Sequence, residues 1–131
     1  MGRLRGGSER ERSLLSVVDD DVSIRESLTE LIEEFGFTSR AFSSAEEFLL
    51  SGSADETRCL ILDVSMPGMS GPELQQELKR RGEKIPTIMI TGQRDEAIRT
   101  RVLLQGAAGF LVKPFSDEAL LAAIQSALAT G

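Results

Sequence analysis

Short apolar, β-branched runs alternate with helical patterns from Ser13 onward, and this alternation predicts a parallel sheet with helical crossovers. Five runs read as strands: residues 14–18, 38–42, 58–62, 87–90 and 109–112. Between the first two, Ile24, Leu28, Leu31, Ile32 and Phe35 recur at helical spacing. Ser23 and Glu26 are spaced as a capping box for that helix, Asp21 is a second candidate for its cap, and Gly36 suits its end. A short helix over residues 45–50 is expected to open at Ser44, with Glu47 three residues on, and to close near Gly52. The third takes Pro72 as its first residue and Gly82 as its stop. The fourth, residues 95–105, has a thin apolar stripe of Ile98 and Val102 broken by Arg99 and Arg101, and is expected to be the most mobile. The fifth starts after Ser116, places Asp117 and Glu118 in its positive first turn and buries Leu120, Leu121, Ile124 and Leu128. These elements form one doubly wound (βα)5 unit of the α/β class, with a flavodoxin-like five-stranded parallel sheet.

The strand ends suggest the order of the sheet. In open parallel sheets ligands bind beyond the carboxyl ends of the strands, where strand order reverses. Strand 1 runs into Asp19, Asp20 and Asp21, strand 3 into Asp63, strand 4 into Thr91, and strand 5 into Lys113 and Pro114. Strand 2 ends in Phe42 and Ser43 without a charge, which suits an order of 2-1-3-4-5 with the switch point between strands 1 and 3. Two carboxylates about 5 Å apart at an effective dielectric of about 20 repel by roughly 3 kcal/mol, so this crowding calls for a proton or a cation. Mg²⁺ suits such a site, since it takes oxygen ligands from one or two carboxylates and keeps several waters. A carboxylate there can also act as a nucleophile toward phosphorus, with Thr91 and Lys113 offering a hydrogen bond and a positive charge to phosphoryl oxygens.

Composition narrows the alternatives. A chain of 131 residues, 40% hydrophobic and 27% charged, has the size and balance of one soluble globular domain. No apolar run approaches the roughly 18 residues of a membrane span. Histidine is absent and Cys59 is the single cysteine, which excludes an internal disulfide, a Cys/His zinc site and serine–histidine catalysis. Residues 1–12 hold four Arg against two Glu, lack the apolar core of a signal peptide, and read as a flexible extension; residues 13–131 form the domain. Beyond residue 12, eleven basic and nineteen acidic residues leave a net charge of −8, a field that disfavours direct nucleic-acid binding. A cytoplasmic location is expected.

The segments SVVDDDVSIRESL, LILDVSMPGMSGPEL, IMITG and GAAGFLVKPF, in this order and spacing over residues 13–129, resemble the receiver domain of two-component response regulators. The wording of ILDVSMPGMSG, ITG and FLVKPF is most similar to the FixJ-type subgroup. The resemblance implies that Asp63 accepts a phosphoryl group from a histidine kinase in an Mg²⁺-dependent reaction. It further implies that Asp20, Asp63 and the carbonyl of Ser65 bind the ion, that Asp19 assists through water, and that Thr91 and Lys113 contact the phosphoryl group. Phe110 stands where the family most often has Tyr, so switching there would proceed by packing rather than through a hydroxyl. Ser65 and Gln93 occupy positions that tune phosphoryl lifetime across the family. The domain would be a switch rather than an enzyme, catalysing only its own phosphorylation and dephosphorylation. The surface of helix 4, strand 5 and helix 5 would control homodimerisation or an output partner, with a helix-turn-helix output domain outside this chain. The resemblance also favours a cis bond between Lys113 and Pro114.

Other readings compete with these. Asp19–Asp21 could be a solvated turn, Asp63 a loop aspartate, Thr91 with Gly92 a plain turn and Lys113 an exposed lysine. Cys59 and Met89 read as core, and Met66 and Met69 as shapers of the loop after Asp63. An FMN-binding module would need a phosphate loop after strand 1, where the aspartates would repel the ligand. An aspartate-nucleophile phosphatase usually carries a second Asp two residues after the first, a position held here by Ser65. A phosphorylation-independent binding module would have no use for the acidic cluster, Thr91 and Lys113.

Overall fold

The computed structural model describes residues 13–130, so the extension expected over residues 1–12 lies outside the described residues. Five parallel strands, β1 (Leu14–Val18), β2 (Thr38–Phe42), β3 (Thr57–Asp63), β4 (Thr87–Thr91) and β5 (Gly109–Val112), stand in the order 2-1-3-4-5. The central strands are buried on both faces, which is why they read as unbroken apolar runs. Residues alternate between the two faces of the sheet. Leu15, Val17, Ile61, Ile88 and Ile90 pack under α1 (Val22–Glu34) and α5 (Asp117–Thr130). Val18, Leu60, Leu62 and Met89 pack under α2 (Ala45–Ser51), α3 (Gly71–Arg80) and α4 (Glu96–Leu104). Cys59 and Met89 are fully buried, and burial pushes the Cys59 thiol up to about 12, leaving it an inert core side chain.

The helix boundaries differ from expectation where two capping residues compete. The Ser23/Glu26 box gives way to Asp21, whose Oδ1 accepts from the backbone N–H groups of Ser23 (2.8 Å) and Ile24 (3.3 Å). A carboxylate that takes both first-turn donors leaves the Ser23 hydroxyl nothing to cap. Ser44 caps α2 by accepting from the Glu47 N–H, yet the Glu47 carboxylate reaches back one residue further, to the Ser43 N–H and hydroxyl. The third helix starts at Gly71, so Pro72 is its second residue; Ser70 is the cap and exchanges reciprocal bonds with Glu73. α4 buries only Val102. On α5, Leu120 and Ile124 are buried, whereas Leu121 and Leu128 are half-buried and Ala127 fills the core position that the larger residues leave. A short 3₁₀ turn, Ser53–Asp55, precedes β3 and has no counterpart in the sequence reading. The Lys113–Pro114 peptide is cis.

Among the described residues no helix is long and apolar enough to cross a membrane. The order of strands leaves the carboxyl ends of β1, β3, β4 and β5 side by side, with β2 at the far edge.

Candidate functional site

β1 hands the chain to Asp19 while still hydrogen-bonded: the Asp19 N–H donates to the Phe42 carbonyl (3.1 Å), which extends the β1–β2 ladder by one residue. The Asp19 side chain is therefore held under the sheet's end and is fully buried. Its Oδ1 accepts from the Asp21 N–H (2.9 Å), and Arg25 on α1 donates from Nη1 to the Asp19 carbonyl (2.8 Å). Asp20 points to solvent. Asp63 is the last residue of β3, in register with Ile90 of β4, and is only 6% exposed. Lys113 follows β5; its N–H donates to the Thr91 carbonyl (2.7 Å) and its Nζ lies 3.2 Å from Asp19 Oδ2 and 3.6 Å from Asp63 Oδ1.

Asp19, Asp20 and Asp63 each offer a carboxylate oxygen within 4.8 Å of the others. One half-buried ammonium cannot neutralise three carboxylates. Burial first, then the Asp19 charge and a smaller push from Asp20, outweigh the downward pull of Lys113 and leave Asp63 pushed up to about 6. Three clustered oxygens, two of them buried, form a hard donor set that fits a small divalent cation, so this cluster could hold a metal.

The remaining candidates surround this centre. Thr91 is buried at the end of β4, and its Oγ1 accepts from the Gln93 N–H (3.2 Å). Ser65 is exposed, two residues past Asp63. Phe110 is half-buried, in register with Met89, and packs into the core beneath α2, α3 and α4. Alternation puts Thr91 on the same face as Met89 and therefore on the same face as Phe110. Met66 is buried and Met69 packs against the same core, while Gln93 is exposed. The loop after Asp63 returns tightly: the Gly71 N–H donates to the Val64 carbonyl (3.0 Å), and a Cβ at Gly71 would overlap the Asp63 carbonyl oxygen.

Two side chains of this region are not singled out by the sequence. Arg25 lies among surface residues of α1 with no marker of its inward reach. Glu46 lies on α2 and accepts from the Met69 N–H (2.9 Å), a contact across 23 residues that no local pattern records.

Comparison with known proteins agrees with this arrangement. The family profile for the response regulator receiver domain matches residues 15–125. Nodulation protein W of Bradyrhizobium diazoefficiens is 46% identical over 116 residues, covering 88% of this chain and 51% of that protein. The response regulator TodT of Pseudomonas putida is 42% identical over 125 residues, covering 95% and 55%. The transcriptional regulator FixJ of Azorhizobium caulinodans is 42% identical over 112 residues, covering 86% and 53%. The chain thus spans about half the length of these curated relatives. Among solved structures, the response regulator StyR superposes with a TM-score of 0.84 at 41% identity, over 91% of this chain and 60% of that one. The structure of FixJ-N superposes with a TM-score of 0.81 at 35% identity, over 89% and 94%. An acidic cluster at the switch point of a 2-1-3-4-5 sheet, a family profile spanning nearly the whole fold and these relatives lead to one conclusion: the chain belongs to the receiver domain family of two-component response regulators.

Proposed function

We infer that Asp63 is the phosphoacceptor of a signalling switch, and that a histidine kinase supplies the phosphoryl group. One observation carries the reading. The buried Asp63 carboxylate sits where Asp19, Asp20 and Lys113 converge from the ends of two other strands, with the Lys113 ammonium 3.6 Å from its Oδ1. In the transfer an Asp63 oxygen forms a bond to phosphorus as the bond from phosphorus to the donor nitrogen breaks. Asp63 must be ionised to attack, and Lys113, which lowers its proton affinity, favours that state. Lys113 can then pair with the phosphoryl oxygens, and Thr91 can donate its hydroxyl to one of them. Asp20, Asp63 and the Ser65 carbonyl would hold Mg²⁺, with Asp19 assisting through water. Bound there, the ion supplies positive charge to the phosphoryl oxygens.

The domain is a signalling module rather than a classical enzyme, and the chemistry assigned to it is limited to its own phosphorylation and dephosphorylation. The output is placed on α4, β5 and α5, with Thr91 and Phe110 as the relay and homodimerisation or an output partner as the readout. The match covers only 53% of the transcriptional regulator FixJ, which supports an output domain outside this chain, proposed here as a helix-turn-helix. The acidic net charge argues against nucleic-acid contact by residues 13–131 themselves, and a cytoplasmic site of action accords with a kinase partner. Incubation with acetyl phosphate and Mg²⁺ tests the assignment: the wild-type protein should gain one phosphoryl group by intact mass and Asp63→Asn none. Equal labelling of both would refute it.

A further inference from the structure

Three successive backbone N–H groups in the loop between β3 and α3 go to three different acceptors. Met69 donates to Glu46 Oε2 on α2 (2.9 Å), Ser70 to Glu73 Oε1 on α3 (2.8 Å), and Gly71 to the Val64 carbonyl just after β3 (3.0 Å). The second is the capping box of α3, and the third closes the loop on itself beside the end of β3. The first ties the loop to a separate helix. The Glu46 carboxylate also lies against Gly68, where a Cβ would stand 2.8 Å from Oε2 and where φ is +76°. A side chain at position 68 would displace the carboxylate as well as strain the backbone. Beneath this contact Met66 is buried in the same cluster as Ala45 and Phe48 of α2, so helix and loop pack as one unit.

We propose that Glu46 is a positioning residue for the phosphoacceptor site, clamping residues 66–70 so that the Ser65 carbonyl and Asp63 keep the spacing a divalent cation requires. The inference rests on the reading of Asp63 given above and adds a residue outside the acidic cluster. Ser65 is exposed and lies between two fixed points, the end of β3 and the clamped Met69. Releasing Met69 frees the exposed part of the loop, Pro67 included, and adds an ordering cost to every cation bound. Gln at position 46 keeps the acceptor oxygen and loses the charge, so it separates a clamp from a general electrostatic effect.

The test uses the full chain with Glu46→Ala, Glu46→Gln and, as a control for loss of one surface carboxylate, Glu34→Gln. Amide exchange of the Met69 N–H is followed in the metal-free protein, and Mg²⁺ dissociation constants are obtained by calorimetric titration. Loss of one such hydrogen bond should accelerate exchange at Met69 and weaken Mg²⁺ binding by about 3- to 10-fold in Glu46→Ala. Glu46→Gln and Glu34→Gln should stay within about 2-fold of wild type, as expected where the acceptor is kept or no loop contact is lost. Unchanged Mg²⁺ affinity in Glu46→Ala, or equal weakening in Glu46→Gln, would overturn the clamp while leaving the assignment of Asp63 intact. A wild-type protein that binds no Mg²⁺ would overturn that assignment and the clamp with it.

Discussion

Asp63 carries a destabilising charge in the metal-free protein. Its folded carboxyl is pushed up to about 6 from an ordinary 3.8, so the folded state holds a proton more tightly than the unfolded chain does. The resulting contribution to stability is full below about pH 3.8 and is lost as pH rises through about 6. At neutral pH and without metal, Asp63→Asn should therefore be more stable than wild type, by about 2–3 kcal/mol. Chemical denaturation of both proteins across the range should show that advantage shrinking from pH 7 toward pH 4; a constant difference would mean that burial of the charge is not its source. Removing the Lys113 ammonium takes away the group that lowers the Asp63 proton affinity, so Lys113→Ala should raise the carboxyl further, as carbon-detected titration can follow. The candidate residues at this scale were legible because strand ends in an open parallel sheet share one edge, so Asp19, Asp20, Asp63, Thr91 and Lys113 could be placed together from order alone. Arg25 and Glu46 were not legible. Their contacts depend on how a helix side chain meets a backbone carbonyl and how a loop folds back on a helix, and neither depends on spacing in sequence.

The elements behave differently in this respect. Apolar runs identified the central strands β1, β3 and β4 because burial on both faces leaves few polar positions to confuse the pattern, while the edge strands β2 and β5, more exposed, were marked by their place between helical patterns. Helix starts shifted by one or two residues, to a cap at Asp21 instead of Ser23 and to a first residue at Gly71 instead of Pro72, since capping preference ranks Asp and Ser closely and tertiary contacts make the choice. The same closeness of loop and strand gives a sharp expectation at Gly71. Its missing Cβ lets the loop lie against the Asp63 carbonyl and Val64 Cα, so Gly71→Ala should destabilise the fold by about 1–3 kcal/mol in urea denaturation. α4 buries the fewest residues of the five α-helices, Val102 alone. A phosphoryl group on Asp63 would draw the Thr91 hydroxyl inward and open space on the face that Phe110 shares, so packing carries the change to α4 and β5. Amide exchange with and without beryllofluoride, a phosphoryl mimic, should show altered protection within residues 91–115. Thr91→Ala should still accept phosphoryl while that response fades. Protection changes confined to other segments would contradict the relay.

At the scale of the molecule, the acidic cluster lies in a chain of net charge −6, and both facts favour cation uptake. Mg²⁺ held at the folded cluster and not by the unfolded chain would, at ten times its dissociation constant, add about 1.4 kcal/mol of stability. For a domain of this size that raises the thermal midpoint by roughly 5 °C, and an unchanged midpoint would argue against the cluster as a metal site. Sedimentation with beryllofluoride should reveal whether the α4, β5 and α5 surface pairs two copies once the switch is set. The most direct measurement is the location of the phosphoryl group itself. After treatment with acetyl phosphate and Mg²⁺, borohydride reduction converts an acyl phosphate to a stable alcohol that peptide mass spectrometry can assign to a residue. The modification is expected at Asp63 alone and only when Mg²⁺ is present; a modified Asp19 or Asp20 with Asp63 untouched would contradict the assignment.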